Sequence, residues 1–386
     1  MKKYIIFSVI FLVFHTNCDT AKQLQLEANA DVKFSRKTHR IPFEYRKDLI
    51  LVKAQLQGSN FKNTFIFDTG AFNSKIEYEL AESLGLATAS KQSNGTAQGI
   101  RRMIEMTVID SVLFDELTFY GISAGKLKYD SKSYSLCLAP DGIIGANLIK
   151  LANWKVDYKR KELVVFEDAF QFDEQLPKHS VNFYTSFLSG IPKIDVEIEG
   201  VVIKDVLFDL GYNGGLVIPK KYASKFSNIA SKTFVDQSTS GIYGSNRDTL
   251  IVKDLQVKIS DFSTKIPVQF SSLDKALLGN DFLEHFTLYI DYTNEKIILQ
   301  PTEVVHIEKE KPFIPGILND SLWVVNRCKT NEQLKIGDTL RSINGLTPKE
   351  VFDSHCDYFL NLTTFLQKDT LVLETLDYQN FYFTLK

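Results

Sequence analysis

Thr64-Phe65-Ile66-Phe67-Asp68-Thr69-Gly70-Ala71 is answered later in the chain by Asp205-Val206-Leu207-Phe208-Asp209-Leu210-Gly211-Tyr212. In both stretches an apolar run of strand-forming residues ends in Asp-x-Gly, where glycine permits a tight turn that a side chain would block. A second pair follows in the same order. Asp141-Gly142-Ile143-Ile144-Gly145-Ala146-Asn147-Leu148-Ile149 matches Lys275-Ala276-Leu277-Leu278-Gly279-Asn280-Asp281-Phe282-Leu283. A third pair is Trp154-Lys155-Val156-Asp157-Tyr158 with Leu288-Tyr289-Ile290-Asp291-Tyr292. The offset is 134 residues for the later motifs (279 − 145 and 291 − 157) and 141 for the Asp turns (209 − 68). Three motifs in one order at nearly constant spacing mean a duplicated unit, with seven residues fewer in a loop of the second copy.

The rest of the chain agrees with two β-rich units and something more. At 386 residues there is material for two or three domains of roughly 100–150 residues each. Short β-branched or aromatic runs such as Leu49-Ile50-Leu51-Val52, Met106-Thr107-Val108-Ile109 and Glu162-Leu163-Val164-Val165-Phe166 alternate with turn residues. The clearest helix signal is Glu77 to Leu84, ending before Gly85. A net charge of -2 gives no electrostatic reason to expect nucleic acid as a partner. Cys137, Cys328 and Cys356 are widely spaced, and with Cys18 assigned elsewhere their odd number argues against a disulfide framework.

The start of the chain reads as an export segment: Lys2-Lys3, an apolar run from Tyr4 to Phe14, then polar residues before Cys18. A cysteine in that place resembles the lipid-attachment residue of bacterial lipoproteins. The expectation is an exported protein of the periplasm or cell envelope, tethered to a membrane through Cys18. Residues 1–18 are the signal, and 19–40, without apolar periodicity, read as a tether.

Each copy carries a polar, Gly-containing hairpin candidate between its first two motifs. Gly95 and Gly99 mark it in the first copy, and Tyr243 and Gly244 in the second. Hairpins of this kind suit a flap over a cleft.

An apolar strand, Asp68-Thr69-Gly70-Ala71, a flap-like hairpin and Ile143-Ile144-Gly145 together resemble one lobe of the retropepsin and pepsin-like aspartic proteases, and the resemblance extends over about 41–301. It implies a mostly β fold of two tandem β-barrel lobes, 41–168 and a degenerate 169–305, with their Asp loops face to face. Asp68 and Asp209 would be the catalytic pair, supported by Thr69, Gly70, Ala71, Gly211 and Tyr212. Two carboxylates about 3 Å apart share one proton, so one acts as base on a water while the other donates to the scissile carbonyl. Neither metal nor cofactor is required, and the partner is a polypeptide substrate or an extended peptide ligand. The second copy departs from the pattern: Leu210 stands where Thr or Ser would tie the loops together, and Tyr212 replaces a small residue, to narrow the site or hydrogen-bond Asp209. That departure keeps an inactive peptide-binding or assembly protein open as the alternative.

Beyond about Pro312 the pattern changes. Leu334 to Gly345, with its Gly337-Asp338 turn, a five-residue strand and Asn344-Gly345, resembles the core of bacterial PDZ domains and implies a small α+β module over 306–386. Its carboxylate-binding loop would lie near Phe313-Ile314-Pro315-Gly316-Ile317, where proline removes one amide donor. Two other signatures fail on context. Gly121-Ile122-Ser123-Ala124-Gly125 has the spacing of a nucleophile elbow, but no helical stripe follows it. His285 reads as a helix-surface or core histidine, and Asp157 and Asp291 as structural residues at strand ends.

Overall fold

Thr38–Arg46 alternates exposed and buried positions, turning Ile41 and Phe43 inward, as a strand with one face on a core must. It belongs to a computed structural model that describes residues 25–385 apart from 97–98, 132, 171–177, 187–188, 239, 243, 246, 308–310 and 331–333. The export segment and Cys18 lie outside the described residues. The fold is mostly β: a 14-stranded sheet, a 12-stranded sheet and a two-stranded ribbon.

The duplication is built into the strand pairing. A six-stranded layer runs in the order His179–Asn182, Lys296–Pro301, Phe286–Asp291, Asn153–Asp157, Glu162–Phe166, Thr38–Arg46, so each copy contributes three strands. At its centre the third pair of repeated motifs meets itself: Trp154 lies opposite Ile290, Lys155 opposite Tyr289 and Val156 opposite Leu288. Lys155 and Tyr289 are equivalent under the repeat, so a local two-fold axis passes through that pair. Two half-buried sheets joined this way bury one another's inner faces. Trp154 is fully buried, stacked on Phe119 with centroids 6.0 Å apart and tilted against Phe67 at 4.9 Å.

Within each copy the same three-strand crossing recurs. Lys62–Phe67 runs parallel to Gly142–Ile144, which pairs antiparallel with Ser74–Glu77. In the second copy Val201–Phe208 runs parallel to Leu277–Leu278, which pairs antiparallel with Leu216–Pro219. The helix signal appears as Tyr78–Ser83, capped by the Glu77 carboxylate accepting from Leu80 N at 2.8 Å; Gly85, at φ +66°, follows its end.

The C-terminal segment has its own core around Phe313, Trp323, Leu340, Leu371 and Leu373, yet it is joined to both copies. Leu322–Lys329 pairs with Lys232–Asp236 of the second copy, and Arg327 Nε donates to the buried Asp236 carboxylate at 2.9 Å. On the other side Cys137 of the first copy is bonded to Cys356, 219 residues away, while Cys328 is buried outside the disulfide. This corrects the expectation from spacing. The bridge joins modules that sequence order separates, so its partners carry no recognisable interval.

Closing so long a loop restricts the unfolded chain strongly. Cys356→Ser is therefore expected to lower the unfolding free energy by about 2–4 kcal/mol in non-reducing urea titrations. An unchanged transition would contradict the crosslink.

Candidate active site

Each Asp turn is suspended from the apolar-apolar-Gly segment of its own copy. Asp68 N donates to Ile144 O at 3.0 Å, and Asp209 N donates to Leu278 O at 3.0 Å. The turns then wrap their own carboxylates. Gly70 N and Ala71 N each donate to Asp68 Oδ1 at 2.8 Å, and Gly211 N donates to Asp209 Oδ1 at 2.9 Å. The two carboxyl groups are in hydrogen-bonding contact with each other. Each also lies against the opposite turn's glycine. A Cβ on Gly70 would overlap the Asp209 carboxyl group, and one on Gly211 would overlap that of Asp68. Here glycine is required for close approach rather than for an unusual φ.

Thr69 ties the turns together. Its hydroxyl donates to Phe208 O at 2.6 Å and accepts from Leu210 N at 2.9 Å, with the residue fully buried. Leu210 returns no such bond; its side chain is buried in the main apolar core instead. Asn280 strengthens the second turn from behind, donating to both Leu210 O and Asp48 O at 2.8 Å. Tyr212 does not stand between the carboxyl groups. Its ring lies against Gly214 and Gly279 and packs with Phe72, Ile191 and Val217 at the edge of the cleft.

Burial raises both carboxyl pKa values above the ordinary aspartate range. Asp209 is raised further because the Asp68 charge faces it, while backbone donors offset part of the burial on both groups, Ala71 and Gly70 for Asp68 and Gly211 and Gly70 for Asp209. Asp209 is thus the more strongly raised of the two.

The pair forms the floor of a cleft of about 1380 Å³. The two hairpins reach it differently. In the first, Ser90–Gly95 is a terminal strand that among the described residues pairs with Arg101–Phe114 alone, and Gly99, at φ +79°, donates to Thr96 O. In the second, Lys232–Asp236 is held between Asp248–Ile259 and the C-terminal strand Leu322–Lys329. Gly244 sits in the ribbon that follows it, near Ile242, whose carbonyl accepts from Asp130 N of the first copy at 3.4 Å; Tyr243 lies outside the described residues. The first hairpin thus keeps an open edge, and the second is fastened on both sides.

Other singled-out residues sit elsewhere. Ser123 is buried in the strand Leu117–Leu127, with no turn or helix to make an elbow. His285 is a buried histidine between the Glu303 carboxylate and His306 O. Asp157 and Asp291 cap turns, accepting from Arg160 N and Asn294 N. Two features of the cleft escaped the sequence reading. One is Lys75, a buried lysine beside Asp68, visible in hindsight by aligning the copies' strands. The other is the helix His355–Phe365, whose Phe359 and Leu362 form a wall of the cleft; no local pattern signals that.

Residues 52–148 match the family model of aspartyl proteases, a segment that contains the first Asp turn, the first hairpin and Ile143-Ile144-Gly145. A comparison with curated proteins gave no match.

Linkage fixes a sign for the Asp209 carboxyl. A folded pKa above the unfolded value of about 4 means the native state retains a proton that the unfolded chain releases, so stability falls as pH rises through that window. Asp209→Asn is expected to abolish this fall and to be more stable than the wild type at neutral pH. Thermal melts from pH 4 to 8 that run parallel for the two proteins would contradict it.

Proposed function

We propose that this chain is an exported aspartic endopeptidase in which Asp68 and Asp209 hydrolyse peptide bonds through a water held between them. The single observation that carries this reading is the mutual approach of the two carboxyl groups, each seated against the other turn's glycine. With the proton on Asp209, ionised Asp68 takes a proton from the water as its oxygen attacks the scissile carbonyl carbon. Asp209 gives its proton to the carbonyl oxygen. The tetrahedral diol then collapses: the carbonyl re-forms, Asp209 recovers a proton, and Asp68 passes its proton to the departing nitrogen. Thr69 and the backbone donors around Asp68 hold this geometry before substrate arrives.

The first hairpin, open at its edge, is the element suited to close over a bound peptide. In this reading 41–168 and 169–305 are the two lobes, and 306–386 is a PDZ-like module. The module's groove would lie between Phe313–Leu318 and the helix His355–Phe365. There Tyr358 Oη donates to Pro315 O at 2.6 Å, a bond within the module that occupies a strand carbonyl of the groove and so disfavours capture of a peptide end. Tethering through Cys18 in the cell envelope of a bacterium completes the proposal. The inactive alternative rests on Leu210, Tyr212 and the appended module; the Leu210 side chain enters the core, and the Asp209 carboxylate still accepts from Gly211 N of its own turn.

Purified protein incubated with unfolded polypeptides is expected to cleave them, and Asp68→Asn and Asp209→Asn to lose about a thousandfold or more in rate. Since Asp209 must be protonated, the rate is expected to fall as pH rises past its raised pKa. No cleavage by the wild type, or equal cleavage by the variants, would overturn the assignment.

A further inference from the structure

Lys75 is an anomaly in the wall of the cleft. It is 5% exposed, on the strand Ser74–Glu77, with Ser74 and Ile76 buried on either side of it. Its position is defined by pairing: Lys75 lies opposite Ile143, as Val217 lies opposite Leu277 in the second copy. One copy therefore has a fully buried valine where the other has an ammonium group. Burying an ammonium costs several kcal/mol unless it is paired. The hydrogen bond found is to Asn73 O at 2.7 Å, and among the described residues no carboxylate lies within ion-pair distance of Nζ. An ammonium has three donors, so capacity remains.

The stem is held in place. A Cβ on Gly125 would overlap Ile104 Cδ1 and stand 3.1 Å from Lys75 Cδ, so the lysine chain runs in a slot with no spare room. That slot opens on the cleft beside Asp68 and beneath the first hairpin. Gln92 and Asn94 occupy the half-buried positions of that hairpin strand and line the same space. Among the described residues Asp68 is the one acidic group acting on Lys75; the amide side chains of Gln92 and Asn94 and a little apolar surface line the rest of the space, and the ammonium keeps donors for a second negatively charged group.

We propose that Lys75 Nζ is the centre of a carboxylate-binding subsite on the first lobe, and that this protein selects peptides presenting a carboxylate next to the scissile bond. The inference rests on the endopeptidase reading for its setting and goes beyond it in naming the substrate class. The carboxylate is an Asp or Glu side chain or the free end of a peptide. Desolvation lowers the Lys75 pKa to about 8, so the group is charged at neutral pH and below. The preference therefore fades as pH rises through that value.

The test uses the full-length oxidised protein and two peptide sets at pH 6. In the first, amidated peptides carry Glu or Gln at successive positions around one cleavage site. In the second, the same peptides end in a free or an amidated carboxyl group. The ratio of kcat/KM, Glu over Gln or free over amidated, is read within each enzyme. The wild type is expected to show a ratio of about 10–100 at one position, in line with a charge-assisted hydrogen bond. The set in which it appears identifies the source of the carboxylate. Lys75→Met is expected to bring that ratio to about 1, Lys75→Glu to invert it in favour of Lys-containing peptides, and Lys75→Arg to keep it. Thermal melts show whether each variant is folded, and Lys75→Arg carries the comparison if the others are not. Ratios of 1 throughout, with Asp68-dependent cleavage, would overturn the subsite and leave the peptidase intact. If no peptide is cleaved, the peptidase reading falls, and anisotropy titrations of the same peptides decide the subsite. Tighter binding of the carboxylate member, lost in Lys75→Met, sustains it; equal binding overturns it.

Discussion

Everything in this protein is arranged around an approach that ordinary residues would forbid: two carboxyl groups in contact, each occupying the space where the opposite turn would have a Cβ. Like charges so close cannot both persist, so the arrangement imposes a shared proton. It also imposes the architecture. Two turns can meet in this way only if each is fixed by its own lobe and the lobes are fixed to each other. The backbone bonds from Asp68 N and Asp209 N supply the first condition. The six-stranded layer centred on Lys155 and Tyr289 supplies the second. The Thr69 hydroxyl adds a direct tie at the point of contact.

The two copies have kept the scaffold and diverged around it. Leu210 exchanged a hydrogen bond for apolar burial, and Asn280 braces the second turn through its carbonyl. The hairpins diverged as well. Among the described residues one ends its sheet as an edge strand, and the other has become an interior strand of a sheet that continues into the C-terminal module. That module is anchored from the opposite side by the Cys137–Cys356 bond and by Tyr134, which stacks on Phe359 with centroids 4.4 Å apart. A segment attached to both lobes cannot act as an independent appendage. It limits relative motion of the lobes and makes its helix part of the cleft wall.

What the sequence revealed follows from which interactions are local. The Asp turns, the apolar-apolar-Gly segments and the Trp154 and Leu288 strands could be read because duplication prints each local solution twice. The helix after Glu77 was legible from its cap and its glycine. What could not be read is what depends on contacts between distant segments. The disulfide joins residues 219 apart, and the pairing of Lys232–Asp236 with Leu322–Lys329 is set by edge strands meeting, not by either strand's pattern. Tyr212, expected to narrow the site or hydrogen-bond Asp209, lines the cleft with its ring turned back over Gly214 and Gly279, where two glycines in its own copy leave room for it. Lys75 went unnoticed because a single lysine in the short strand Ser74–Glu77 has no motif. Only the register against Ile143 shows that its position belongs to the core in the other copy.

The central claim is that Asp68 and Asp209 hold one proton between them, and side-chain carboxyl NMR of ¹³C-labelled aspartates measures that most directly. The account expects two coupled titrations, one carboxyl group ionising well above the ordinary aspartate range, with replacement of either residue by Asn shifting the titration of the other. Two independent titrations near the ordinary value, each unaffected by loss of its neighbour, would contradict it.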